Sequence, residues 1–220
     1  MTHQLRGSGF AVLAALLMLG PPVIAADRPV TDRDAAAGKK LYLRECAACH
    51  GARGDGKGPA AAWLEPRPRD FTRRVFKVRT TPSGKAPTTQ DLLKTLELGL
   101  PGSSMPSFKF LTEGERTKIV AHVLQLADLP DQPEPPTVPD PGPVPPVTPE
   151  ALARGKVVYT AMGCVKCHGE TGRGDGVAAE ALTDEQDRPI KVRDFTSGIF
   201  RGGSTAKDVH DRLVTGMDGS

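Results

Sequence analysis

The sequence predicts an all-α chain: two small tandem units joined by a proline-rich linker. Three observations carry this. A pentapeptide, Cys46, Ala47, Ala48, Cys49, His50, recurs as Cys164, Val165, Lys166, Cys167, His168. The segments that follow the two copies repeat as well. Between them, ten of the twenty residues in 130–149 are proline. Such a stretch cannot build a core and extends as polyproline II, reaching roughly 60 Å when drawn out at about 3.1 Å per residue.

The pentapeptide is CxxCH, the attachment signal of c-type haem. Two thiols must each add to a vinyl group on one side of a porphyrin, and the adjacent imidazole must swing under the iron as proximal ligand. All four cysteines of the chain fall in the two copies, so none is left for a structural disulfide. Two haems, held by Cys46 with Cys49 and by Cys164 with Cys167, and ligated by His50 and His168, are the cofactor expectation. At 220 residues with 24 glycines, 21 prolines and 5% aromatics, neither unit buries a large apolar core unaided, and a covalent haem supplies the missing core. The formal charge of +3 is too slight to imply nucleic acid.

Taken in order, residues 1–26 read as an export signal: Arg6 in the n-region, an apolar run over residues 10–19, and a small-residue cleavage site at Ala25 or Ala26. An uncleaved membrane anchor is the alternative, opposed by Pro21 and Pro22 near its end. The first unit spans residues 34–128, and a helix over residues 35–46 turns Leu41 and Tyr42 inward. Residues 51–59 are too glycine-rich for helix or strand and form a loop. Trp63 and Phe71 are candidates for packing on the porphyrin, and Arg67, Arg69, Arg73 and Arg74 for pairing with its propionates. Residues 91–98 form a short amphipathic helix ended by Gly99. Thr112 and Glu115 make a capping box that opens a last helix with an apolar stripe of Ile119, Val120, Val123, Leu124 and Ala127. His122 is a boundary histidine beside that stripe. The linker is 129–149 and the second unit 150–220.

Cys46, Cys49 and His50, with Gly51, Gly54, Asp55 and Gly56 and with Met105-Pro106 some fifty residues on, resemble the class I cytochromes c, and more narrowly the diheme cytochromes c of bacterial electron-transfer chains. The resemblance covers residues 35–127 and 152–220. It implies an all-α fold, a periplasmic location, Met105 as distal ligand of the first haem, and the turn at Gly58-Pro59 as the carbonyl that holds His50. Redox proteins are the implied partners. A Met/His pair raises the haem potential, because thioether sulfur favours Fe(II).

The second unit repeats the first: Gly54, Asp55, Gly56 return as Gly174, Asp175, Gly176, and Arg69, Asp70, Phe71, Thr72 as Arg193, Asp194, Phe195, Thr196. Residues 91–103 align on 208–220, which puts Met217 opposite Leu100 and the partner of Met105 about two residues beyond Ser220. The second unit therefore reads as truncated. Met217 as substitute ligand, His210, Met162 and an open iron are the other readings of the second haem. An open iron would suit a haem enzyme of the cytochrome c peroxidase type; filled sites suit a carrier of single electrons.

Overall fold

The computed structural model describes residues 30–131 and 142–219. Residues 1–26, read above as an export signal, lie outside them, as does the middle of the linker. Among the described residues the fold is all-α, as expected, with seven helices and one isolated antiparallel bridge between Thr183 and Pro189.

In the first unit, α1 (Asp32–Glu45) begins three residues before the predicted run, because Thr31 and Asp34 form a capping box. The α2 turn (Ala47–His50) carries the first CxxCH, α3 (Thr89–Leu98) is capped by Thr88 with Asp91 and ended by Gly99, and α4 (Glu113–Leu126) is capped by Thr112 with Glu115. All five residues of the predicted α4 stripe are buried in one cluster with Tyr42, Phe71, Leu92, Leu93 and Leu96. α4 packs across α1 where Gly38 faces it: a Cβ at Gly38 would lie 1.8 Å from the carbonyl oxygen of Lys118. Only a glycine lets the two backbones cross so closely.

In the second unit, α5 (Pro149–Ala161) starts at the last residue of the expected linker, with Thr148 as N-cap and proline at its first turn. α6 (Val165–His168) carries the second CxxCH, and α7 (Ala206–Thr215) repeats α3 down to its capping box of Thr205 and Asp208. The α5 side chains Leu152, Val157 and Val158 are exposed, and Gly155, the counterpart of Gly38, faces open space.

The two units lock through a buried arginine. Arg79 has no exposed surface; it donates to the carbonyls of Phe76 (3.1 Å) and Thr215 (2.7 Å) and pairs with Asp218 at 2.8 Å. Arg212 of α7 returns the contact by donating to the Arg79 carbonyl, while Ser83 and the Gly84 amide hold Asp218 from the far side. Charge and hydrogen bonding are both satisfied, which a buried guanidinium requires. The linker is thus not the only tie between the units.

The contrast between the glycines gives a matched test. Gly38→Ala is expected to destabilise the haem-loaded chain by about 1–3 kcal/mol through overpacking, and Gly155→Ala to stabilise it by about 0.5–1 kcal/mol through helix propensity. Guanidinium melts that give both variants the same sign would contradict this account of the crossing.

Candidate haem sites

Each CxxCH occupies one short helical turn, which places the second cysteine and the histidine next to each other at its end. Main-chain bonds then wrap the glycine loop around that turn: Gly56 N donates to the carbonyl of His50 (2.9 Å) and Gly58 N to that of Cys49 (3.2 Å). In the second unit Gly174 N bonds His168 and Gly176 N bonds Cys167. The pairing therefore runs at the constant offset of the CxxCH motifs, Gly56 with Gly174 and Gly58 with Gly176. The sequence alignment of Gly54-Asp55-Gly56 on Gly174-Asp175-Gly176 is out of register by two. Only the aspartates change place, and both still sit over the first glycine of the loop, Asp55 against Gly51 and Asp175 against Gly169.

His50 Nδ1 donates to the carbonyl of Arg69 at 2.9 Å, and His168 Nδ1 to that of Arg193 at 3.2 Å. A carbonyl can only accept, so each Nδ1 carries the proton and each Nε2 keeps its lone pair for a metal. The expected donor of this carbonyl, the turn at Gly58-Pro59, does not supply it. That turn folds back on α2 through Gly58 N to Cys49 and Ala60 N to Ala48. Arg69 arrives instead because the amide of Phe71 donates to the carbonyl of Gly54 at 2.7 Å, a bond that Phe195 repeats on Gly172. The same aromatic stacks on the imidazole, Phe71 on His50 with centroids 4.6 Å apart and Phe195 on His168 at 4.1 Å. Burial holds His50 below the usual histidine range, and the neutral imidazole is the form that binds metal.

Tyr42 donates to the carbonyl of Gly51 (2.7 Å) and Tyr159 to that of Gly169 (2.7 Å), closing each loop onto the helix before it. Burial, with Glu45 and Cys49 adding to it, pushes the Cys46 thiol up to about 12, so it stands ready as a thiol.

A cavity of about 880 Å³ opens above α2. Cys46, Cys49, His50, Phe71 and Met105 all line it, so the structure brings together the residues predicted for the first haem. Arg67 and Arg69 line it too, whereas Arg73 and Arg74 turn away to the Glu185 carbonyl and to Asp128. Trp63 is 87% exposed and takes no part. His122 is buried rather than at a boundary: its ring meets Tyr42 edge-on at 5.2 Å, and it does not line the cavity. Sequence reasoning missed the cavity's other wall. Asp184, Arg188, Pro189, Ile190, Arg201 and Met217 of the second unit close over it. Met217, expected as a ligand of the second haem, thus lines the first cavity along with Leu100, its counterpart in the repeat, and His168 does not share that cavity. The signal was present in the spacing: the second unit has six more residues than the first between its glycine loop and its Arg-Asp-Phe-Thr segment, and these form the hairpin bridged at Thr183 and Pro189.

The second site is more open. Cys164 and Phe195 are half-buried where Cys46 and Phe71 are buried, while His168 and Cys167 are half-buried as His50 and Cys49 are; Met162 is 75% exposed, and His210 is half-buried beside Asp211 at 3.6 Å.

The donor sets fit covalent haem: a thiol pair, an imidazole with free Nε2, and in the first unit an apolar cavity with a thioether and cations on its wall. Buried Arg201 Nε, which finds no hydrogen-bond partner, marks a place where an anionic group belongs. Comparison with known proteins agrees. The family model described as Cytochrome c matches residues 35–127 and 152–208. A chain of the reducing HAO-like protein complex of Kuenenia stuttgartiensis superposes with a TM-score of 0.77 at 37% identity, over 88% of this chain and 86% of that one. No curated protein matches.

Removal of the Tyr42 hydroxyl should cost more than removal of its counterpart. Tyr42→Phe removes one of the two hydrogen bonds on the buried Gly51 carbonyl, which keeps the Gly54 amide, and is expected to lower stability by about 0.5–1.5 kcal/mol; Tyr159→Phe, half-exposed, should cost under about 0.5 kcal/mol because water can replace it. Equal losses in chemical denaturation would contradict the difference in burial. With two CxxCH turns, two carbonyl-fixed imidazoles and a family match over both units, the chain belongs to the cytochrome c family, proteins that carry electrons on covalently bound haem c.

Proposed function

We propose that this chain is an exported diheme cytochrome c that passes single electrons between redox proteins. Cys46 and Cys49 hold one haem and Cys164 and Cys167 the other; His50 and His168 are the proximal ligands and Met105 the distal ligand of the first. When bound, the haem iron supplies the Fe(II)/Fe(III) couple. The chain orients each imidazole through Arg69 and Arg193, surrounds the first site with apolar side chains, and sets its potential through thioether ligation. The observation that carries this reading is the repetition of one site, Nδ1 bond and stacked aromatic included, in both units. The related chain stands in an HAO-like protein complex, which supports a redox protein as partner. The export segment supports a periplasmic location. A second reading, a haem enzyme of the peroxidase type with an open second iron, draws on the half-buried Cys164 and Phe195, whose counterparts are buried, and on Met217 facing the first cavity.

Mass spectrometry of the matured chain tests the assignment. Two haem masses are expected, falling to one in the Cys164→Ser, Cys167→Ser variant. Met105→Ala should abolish the Met-to-iron charge-transfer band and lower the potential of the first haem. One haem in the parent chain, or an unchanged band in the Met105 variant, would overturn it. Carbon monoxide binding by the parent chain would favour the enzyme reading over the carrier.

A further inference from the structure

Five cations line the first cavity, three from the first unit (Arg67, Arg69, Lys77) and two from the second (Arg188, Arg201). Three of them are satisfied. Arg67 donates to the Ala61 carbonyl at 2.7 Å, Arg69 pairs with Glu185 at 2.5 Å, and Arg188 pairs with Asp184 at 2.6 Å. Lys77 and Arg201 are not: neither has an acid within ion-pair distance among the described residues, and the Arg201 Nε is buried with no partner. Glu65, also on the cavity wall, attracts Arg201 from beyond that distance. Burial, reinforced by the nearby charges of Arg69 and Arg201 and opposed by the more distant Glu185 and Asp184, pushes Lys77 down to about 8. Two like charges, one from each unit, thus face one apolar cavity with no acid within ion-pair distance of either among the described residues. Such an arrangement is costly unless an anion enters between them.

We propose that Lys77 and Arg201 jointly hold a propionate of the haem in the first cavity, so that this cofactor bridges the two units. The inference rests on the diheme reading above and deepens it. A carboxylate is the anion a guanidinium fork and an ammonium bind best in a partly dry site, and the haem is the carboxylate-bearing group this cavity is built to take. Arg201 belongs to the unit that carries the other haem, so charge at the first iron becomes sensitive to how the second unit is seated. The docking bonds of Arg79 with Thr215 and Asp218 set that seating.

The test is a spectroelectrochemical titration of the full haem-loaded chain, following the Met-to-iron band as the reporter of the first haem. A cation beside a propionate favours the reduced iron, which carries one more negative charge. Arg201→Gln and Lys77→Gln are each expected to shift the Fe(III)/Fe(II) ratio at fixed potential about tenfold toward Fe(III), about 59 mV for a one-electron couple. Arg201→Lys should restore most of the shift, and Glu65→Gln should move it the other way. Unchanged potentials in both Gln variants, with covalent haem verified by mass, would overturn the inference while leaving the diheme reading intact. If Arg201→Gln fails to fold, Lys77→Gln and Arg201→Lys decide. Absence of haem at Cys46 and Cys49 in the parent chain would instead sink the reading beneath it.

Discussion

The structure depends on one hydrogen bond made twice, from a histidine Nδ1 to a main-chain carbonyl. An imidazole at the end of a one-turn helix is free to rotate and to hold its proton on either nitrogen. The Arg69 and Arg193 carbonyls remove that freedom, leaving Nε2 as the only lone pair. Around this bond the rest of each unit is arranged. The glycine loop folds back so that its carbonyl can receive the amide of Phe71 or Phe195, and the ring of that residue then stacks on the imidazole it helped to fix. The arginine that offers its carbonyl inward sends its side chain across to the other unit, Arg69 to Glu185 and Arg193 to the Gly102 carbonyl in the Met105 loop. Ligand positioning and unit docking are therefore two ends of the same residue.

The two sites are alike in their bonds and unlike in their surroundings. α4 packs over the first unit, burying Tyr42 and Phe71, and the apolar cavity beside them has Met105 on its wall. In the second unit the face of α5 around Gly155 stands open, and the same tyrosine and phenylalanine positions are half-buried.

Much of this was legible in the sequence. The helix caps at Thr112 and Gly99, the α4 stripe and both CxxCH turns depend on local rules of spacing, and local rules survive folding. What depended on long-range packing was not. The carbonyl on His50 comes from nineteen residues away, through a loop whose path the glycines permit but do not specify. Trp63 looked like a porphyrin contact by size alone and points to solvent. Met217 was one of several readings of the second haem's ligand because chain order places it there, yet unit docking puts it on the wall of the first cavity. The six extra residues of the second unit were visible as a gap in the repeat, but only the contacts of Arg69 and Arg73 with Glu185 show that their hairpin closes over a neighbour's cavity.

The most direct test of the central claim is proton and nitrogen NMR of the ferrous, haem-loaded chain labelled with ¹⁵N-histidine. The account predicts two slowly exchanging Nδ1 protons, on His50 and His168, each hydrogen-bonded while its Nε2 is bound to iron. A site in which Nδ1 is the metal-bound nitrogen, or in which its proton exchanges freely with water, would show that the Arg69 and Arg193 carbonyls do not set the ligands.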